Sequence, residues 1–205
     1  MPFYAQHIKQ GRLHLMKSDP TMKRIIKQVG PFTAKTKRDR FATLVHSILA
    51  QQISVAAAST IRQRLLKALG EEGLTPANLL QFEVDQLREF GVSRQKATYA
   101  LDLAGKVHQG DVNLQSIQKH DDEAAIVELT QVKGIGRWTA EMFLMFSLGR
   151  LDVLPVDDLG LRNAVQHFYE LDSLPGADEM ESLAEPWRPY ATIASWYLWQ
   201  GLDQK

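Results

Sequence analysis

Apolar residues recur along this chain at helical spacing, and no stretch alternates with the two-residue period of a β-strand. Phe41, Leu44, Val45 and Ile48 mark one helical face ending near Ala50. Ser54 is placed to cap the next helix, whose face is Val55, Ala58, Ile61, Leu65 and Leu69. Asp19-Pro20 opens a helix through Met22, Ile25, Ile26 and Val29, and Gly30-Pro31 closes it. Thr75-Pro76 opens another, with Thr at the N-cap and Pro at the first helical position. Asp85 begins a short helix ending at Phe90-Gly91. Ala97, Leu101, Ala104 and Val107 face inward on a longer one closed by Gly110. Leu161, Val165 and Phe168 form a further stripe, and Ala191, Ala194, Trp196, Tyr197 and Trp199 make an apolar terminal helix. The pattern predicts an all-α protein.

The most informative stretch is Thr130 to Arg162. Ala124–Leu129 reads as a short helix and Gly134-Ile135-Gly136 as a tight turn. Trp138, Met142, Met145 and Phe146 then continue at helical spacing to Leu148, with Gly149 as the stop. Glycines let backbone approach another object closely and adopt positive φ. The first N–H groups of a helix lack internal acceptors and lie at its positive end, so such a turn suits a phosphate. A lone G-x-G is more often a plain helical hairpin. Here Arg137 and Thr139 stand at the helix start, and Leu-Pro-Val-Asp-Asp follows at 154–158. An aspartate opening a helix is an N-cap by default, yet it is also a carboxylate held where negative charge is favoured.

The joint pattern V-K-G-I-G-R-W-T-A-E, 132–141, and L-P-V-D-D-L-G-L-R, 154–162, resembles the helix-hairpin-helix DNA glycosylase superfamily, in its alkylation-repair branch, 3-methyladenine DNA glycosylase II. The likeness runs from about Phe41 to Trp199. It implies one glycosylase domain over 1–205, two-lobed, with the active site in the interlobe cleft. One lobe would span 45–155, including the hairpin 124–148, and the other 1–44 plus 156–205. It further implies a monofunctional enzyme that flips alkylated bases of the 3-methyladenine and 7-methylguanine type out of duplex DNA and removes them by hydrolysis, in base excision repair.

Matched residue by residue, the resemblance places catalysis on Asp158, with Asp157 as the alternate that caps or orients. Trp138 and Trp196 would line the base pocket with electron-rich faces suited to cationic bases. Met142 stands where some relatives have Tyr. DNA contacts would come from Gly134, Gly136, Arg137 and Thr139. Ser93, Arg94 and Lys96 would touch the opposite strand. Gln52 would fill the hole left by the flipped nucleotide, where some relatives carry Leu; a glutamine is the less apolar wedge. Relatives that also cut the DNA strand carry a lysine where this chain has Trp138, so no Schiff base is expected. The family's turn commonly holds a monovalent cation through main-chain carbonyls, here those of Thr130, Val132 and Ile135. No cofactor is required.

Composition narrows the alternatives. The chain has no cysteine, which rules out a disulfide, a thiolate zinc site and the iron–sulfur cluster of some superfamily branches. Basic and acidic residues balance at 24 each, so a broadly basic DNA-binding surface is not expected and salt dependence should be shallow. Lys35, Lys37, Arg38 and Arg40 read as solvated surface. No apolar run reaches membrane-spanning length, and Met1 to His7 lacks the pattern of an export signal. The expected partner is duplex DNA carrying damaged bases, met by a monomer in the cytoplasm, at the nucleoid in a bacterium or in the nucleus of a eukaryote. Two other readings stay open from sequence alone: a non-catalytic hairpin module that only binds DNA, and a glycosylase with strand-cleaving activity.

Overall fold

The structure, a computed structural model, describes residues 5–204. Met1–Tyr4, part of the stretch read for an export signal, and Lys205 lie outside the described residues. Twelve α-helices and no strand are found among the described residues. They run α1 Ala5–Ser18, α2 Pro20–Val29, α3 Arg40–Ala50, α4 Val55–Leu69, α5 Pro76–Leu79, α6 Val84–Glu89, α7 Arg94–Gln109, α8 Asp122–Thr130, α9 Arg137–Phe143, α10 Leu159–Phe168, α11 Ala177–Ala184 and α12 Ala191–Asp203. No helix among the described residues is long and apolar enough to cross a membrane.

The chain forms two compact units: a terminal unit of 1–36 with 144–205, and a middle unit of 37–143. The division therefore falls at 36/37 and 143/144 rather than at 44/45 and 155/156. Local packing explains both shifts. Asp39 caps α3 by accepting from Ala42 N–H at 2.9 Å, so the whole of α3 travels with α4 and α7 in the middle unit. At the other end, Thr192 N–H donates to Leu151 O at 3.0 Å and Val153 N–H donates to Thr192 Oγ1 at 3.0 Å. These bonds tie 151–153 to the start of α12.

In the terminal unit, α2 shows how the pattern becomes structure. Asp19 Oδ1 accepts from Met22 N–H at 3.0 Å, Pro20 sits in the first turn, and Gly30 ends the helix at φ 87°. The buried face of α2, Met22, Ile25 and Ile26, packs with Leu161, Val165 and Phe168 of α10 and Tyr197 of α12 in one apolar core. A methyl on Gly201 of α12 would come within 2.9 Å of the Phe168 ring and 3.1 Å of Ile25 Cγ2, so the close approach of these helices needs a residue without a side chain. In the middle unit α7 is the hub, packing against α3, α5 and α6, while α8 and α9 form the hairpin.

The sequence pattern placed one helix from Trp138 to Leu148. The structure divides it: α9 stops at Phe143 and Leu144–Leu148 widens into a π-helical turn. That turn buries Leu144, Met145 and Leu148 together.

Candidate active site

The turn Leu154–Asp158 is closed by local backbone bonds. Val156 N–H donates to Leu154 O at 3.0 Å, and Asp158 N–H to Pro155 O at 3.0 Å. This leaves Asp157 exposed in the turn and Asp158 as the N-cap of α10. Asp158 Oδ1 accepts from Leu161 N–H at 2.6 Å, satisfying one of the helix's orphan donors. The same oxygen accepts from the Trp199 indole N–H at 2.9 Å. The cap expected of Asp157 is instead Asp158 itself. Capping does not consume it: the helix N-terminus and the indole N–H both orient the carboxylate.

Two residues of this site were not singled out from sequence. Trp199 read as packing, yet its indole N–H holds Asp158 and its ring lies 6.2 Å from that of Phe146. Gly160 is the other. A methyl there would stand 3.2 Å from Asp158 Oδ1 and 3.6 Å from the Trp199 ring, so glycine keeps the carboxylate and indole in register. The G in D-D-L-G was a readable signal; the partnership with Trp199, 41 residues away, was not.

Trp196 is 8% exposed, with its ring centroid 4.4 Å from Phe32 and 4.9 Å from Tyr197. It is a core residue of the terminal unit, sharing that unit with Asp158. Trp138 is 46% exposed at the second position of α9, and Met142 is half-buried one turn later; both belong to the middle unit.

In the hairpin the two glycines differ. Gly134 has φ 83°, and a methyl there would come within 2.1 Å of the Tyr99 ring, so its role is conformational and steric within the protein. A methyl on Gly136 meets nothing within 4 Å, so this is the glycine whose bare backbone is open to an outside object. Arg137 forms a two-pronged bond to Glu123, at 2.9 and 2.7 Å, and a 3.2 Å ion pair with buried Glu141. The hydrogen bond and charge of Glu123 raise the Arg137 pKa further, and those of Arg137 lower that of Glu123. Thr139 is only 7% exposed. The pair expected at the helix start for phosphate is thus turned to internal work, Arg137 by carboxylates and Thr139 by burial.

The second candidate turn behaves similarly. Ser93 caps α7 by accepting from Lys96 N–H at 3.3 Å, and Arg94 pairs with Asp85 at 2.8 Å. Lys96 is half-buried, and its ammonium donates to the carbonyls of Leu49, at 3.0 Å, and Gln51. Desolvation lowers its pKa. Gln52 is exposed and holds a left-handed backbone, φ 56°, unusual for a residue with a side chain. The candidate cation ligands are hairpin carbonyls: Val132 O already accepts Ile135 N–H at 3.1 Å. A carbonyl oxygen has a second lone pair, so these hard oxygen donors still suit a monovalent cation. No cluster of His, Cys, Asp or Glu able to hold a metal occurs among the described residues.

Residues 45–189 match the model of the HhH-GPD superfamily of base excision DNA repair proteins. The chain belongs to the HhH-GPD superfamily. Among curated relatives, the alkylbase DNA glycosidase-like protein mag2 of Schizosaccharomyces pombe is 34% identical, over 94% of this chain and 92% of that one. Among solved structures, the 3-methyladenine DNA glycosylase of the same yeast in complex with abasic DNA superposes with a TM-score of 0.81 at 32% identity, covering 93% of this chain and 95% of that one. The DNA-3-methyladenine glycosidase of Bacillus halodurans gives 0.83 at 35% identity, covering 92% and 87%. The matched residues include the α8–α9 hairpin and the Asp157-Asp158 pair.

Proposed function

We propose that this chain is a DNA glycosylase that extrudes alkylated bases from duplex DNA and releases them by hydrolysis, beginning base excision repair. The observation that carries the reading is the placement of Asp158: a half-buried carboxylate at the N-terminus of α10, its Oδ1 fixed by the Leu161 amide and the Trp199 indole. Relatives over nearly the whole chain are named for alkylated bases, including DNA-3-methyladenine glycosylase 1 of S. pombe, 32% identical.

In this mechanism the C1′–N bond breaks and its electron pair leaves with the base. Bases made cationic by alkylation, of the 3-methyladenine and 7-methylguanine type, leave as neutral molecules, so little acid catalysis is needed. Positive charge develops on the sugar ring, and the Asp158 carboxylate stabilises it. A water oxygen then bonds C1′ and passes a proton to Asp158, giving an abasic site. Trp138 and Met142 offer a polarisable face to a cationic base, and Gly136 offers main chain to the DNA backbone. Trp138 stands where a strand-cleaving relative would have its lysine, so hydrolysis is the reaction we assign. The carbonyls of Thr130, Val132 and Ile135 would hold a monovalent cation that adds positive charge beside a bound phosphate. The enzyme would work wherever the cell keeps its DNA, the nucleoid or the nucleus, and as a monomer.

The test is release of methylated bases from alkylated duplex DNA by the wild type beside Asp158→Asn and Asp157→Asn. Loss of release in Asp158→Asn with DNA binding retained supports the assignment. Full release by Asp158→Asn sinks it, and loss in Asp157→Asn alone moves the chemistry to the neighbouring residue. A product trapped on abasic DNA by borohydride would replace hydrolysis with lyase chemistry.

A further inference from the structure

Three turns distant in sequence meet in the middle unit. The first is Leu49–Gln52, where α3 ends. The second is Ser93–Lys96, where α7 begins. The third is the hairpin turn at Gly134. Lys96 Nζ donates to the carbonyls of Leu49, at 3.0 Å, and Gln51. The Gln51 side chain then donates from Nε2 to Gly134 O at 2.9 Å. The Tyr99 ring, one turn after Lys96 on α7, fills the space beside Gly134, and Gln95 Nε2 donates to the Tyr99 hydroxyl at 2.7 Å. At the centre of this lattice Gln52 is exposed, with its backbone in the left-handed region at φ 56°. A residue with a side chain is strained there, so neighbouring bonds must hold it. The residues that follow Gln52 are exposed as well: Ile53 is 38% and Val55, the first residue of α4, 88% exposed.

Lys96 is therefore not arranged as a DNA-contacting cation. Its ammonium donates to two carbonyls at the end of α3, where the last carbonyls lack helical partners. We propose that Lys96 and Gln51 are positioning residues that hold Gln52 in its left-handed, exposed conformation and fix it to the hairpin turn, so that the side chain entering the duplex and the backbone gripping the DNA move as one. This rests on the proposed glycosylase reading and adds residues that touch neither the base nor the phosphate. The benefit is preorganisation: a wedge already in its inserting conformation loses less freedom when it fills the vacated stack.

The experiment is a double-mutant cycle with Lys96→Met and Gln52→Ala. It measures single-turnover release of 7-methylguanine from a defined duplex, and binding to a duplex carrying a tetrahydrofuran abasic analogue across a KCl series. Lys96→Met is expected to slow release about tenfold and weaken abasic-duplex binding similarly, the scale of a small misplacement of a contacting group. In the Gln52→Ala background the same change should have little further effect. The salt dependence should keep its slope, because no phosphate contact is lost; a true phosphate lysine would lower the slope by about one. Lys96→Arg, which keeps donors at the site, should recover part of the loss. Gln51→Leu, which cuts only the tie to Gly134, should reproduce it if Lys96→Met does not fold.

A reduced salt slope overturns the proposal in favour of direct DNA contact. An undiminished effect of Lys96→Met in the Gln52→Ala background overturns it in favour of a general folding role. The binding arm needs no chemistry, so a wild type that binds the abasic duplex but releases no base would remove the glycosylase reading while the cycle still judges Lys96.

Discussion

The terminal unit contains the same device twice. At the start of α2, Asp19 accepts from the backbone N–H three residues on and from the Trp187 indole; at the start of α10, Asp158 accepts from Leu161 N–H and from the Trp199 indole. The difference lies in which oxygens are engaged and how deeply. Asp19 is 6% exposed, with Oδ1 on Met22 N–H and Oδ2 on both Trp187 Nε1, at 3.0 Å, and the Tyr169 hydroxyl. Asp158 is half-buried, and both bonds described above fall on Oδ1. One aspartate is enclosed on both oxygens and stabilises the core. The other is the shallower of the two, as its proposed role requires. The two sites share an N-cap, an indole and a carboxylate; what separates them is depth of burial.

Exchanging each carboxylate for an amide tests that comparison most severely. Asp158→Asn should lower base release by about a thousandfold through loss of transition-state charge stabilisation. Stability should change by less than about 1 kcal/mol, since Asn also caps helices. Asp19→Asn should leave release unchanged and cost about 2–3 kcal/mol in urea denaturation, because an amide NH2 then faces buried donors. If both variants lose stability equally, the two sites are alike and Asp158 is only a cap.

The indoles come next. Trp199→Phe keeps an aromatic ring but removes the N–H from Asp158, and about a tenfold fall in single-turnover release is expected. Trp187→Phe should instead lower the unfolding midpoint, by about 1–2 kcal/mol in free energy, with the release rate intact. Gly160→Ala places a methyl 3.2 Å from Asp158 Oδ1, and release should fall several-fold while DNA binding persists.

The phenol of Tyr169 sharpens the contrast with a pH scan. Burial first, then the hydrogen bond and charge of Asp19, raise its pKa well above the ordinary 10.0. A raised folded value means the protonated form is favoured by folding. This contribution is complete below pH 10 and is lost as pH climbs from about 10 toward the raised folded value. Tyr169→Phe should therefore flatten the alkaline loss of stability, seen by denaturation at pH 9 against pH 11. The smallest effect belongs to Asp157→Asn, exposed in its turn: release within about twofold of wild type, as for a surface change.

Where sequence and structure agree, short-range chemistry decided the outcome. Asp19, Ser54 and Thr75 each cap the helix that follows, because an N-cap needs only its own side chain and an amide three residues on. The G-I-G hairpin was legible for the same reason, although only geometry separates Gly134, bound to Tyr99 packing, from Gly136, which is open. Helices α1 and α11 were not read. In α1 the packing contact is hidden in Gly11, where a methyl would meet Ile193 Cδ1 at 2.5 Å. The carboxylate at 158 was legible in the sequence, and its partners were not. Arg137 and Lys96 look like DNA-binding cations in one dimension. Glu141 lies one turn along the same helix as Arg137, but Glu123, Leu49 and Gln51, which also engage these cations, are brought in by tertiary approach.

The widened turn at Leu144–Leu148 carries a last consequence. A π-turn amounts to one residue more than an α-helix of the same rise would use, which rotates every later side chain by roughly 100° about the axis. Leu144, Met145 and Leu148 are buried with the turn in this form. Removing a single residue from this turn would keep composition, hydrophobicity and helix propensity nearly intact, and yet would dial Leu148 and its neighbours away from the core they fill. This stretch should tolerate a swapped side chain far better than a one-residue deletion, and it lies where the chain passes from the middle unit to the terminal one.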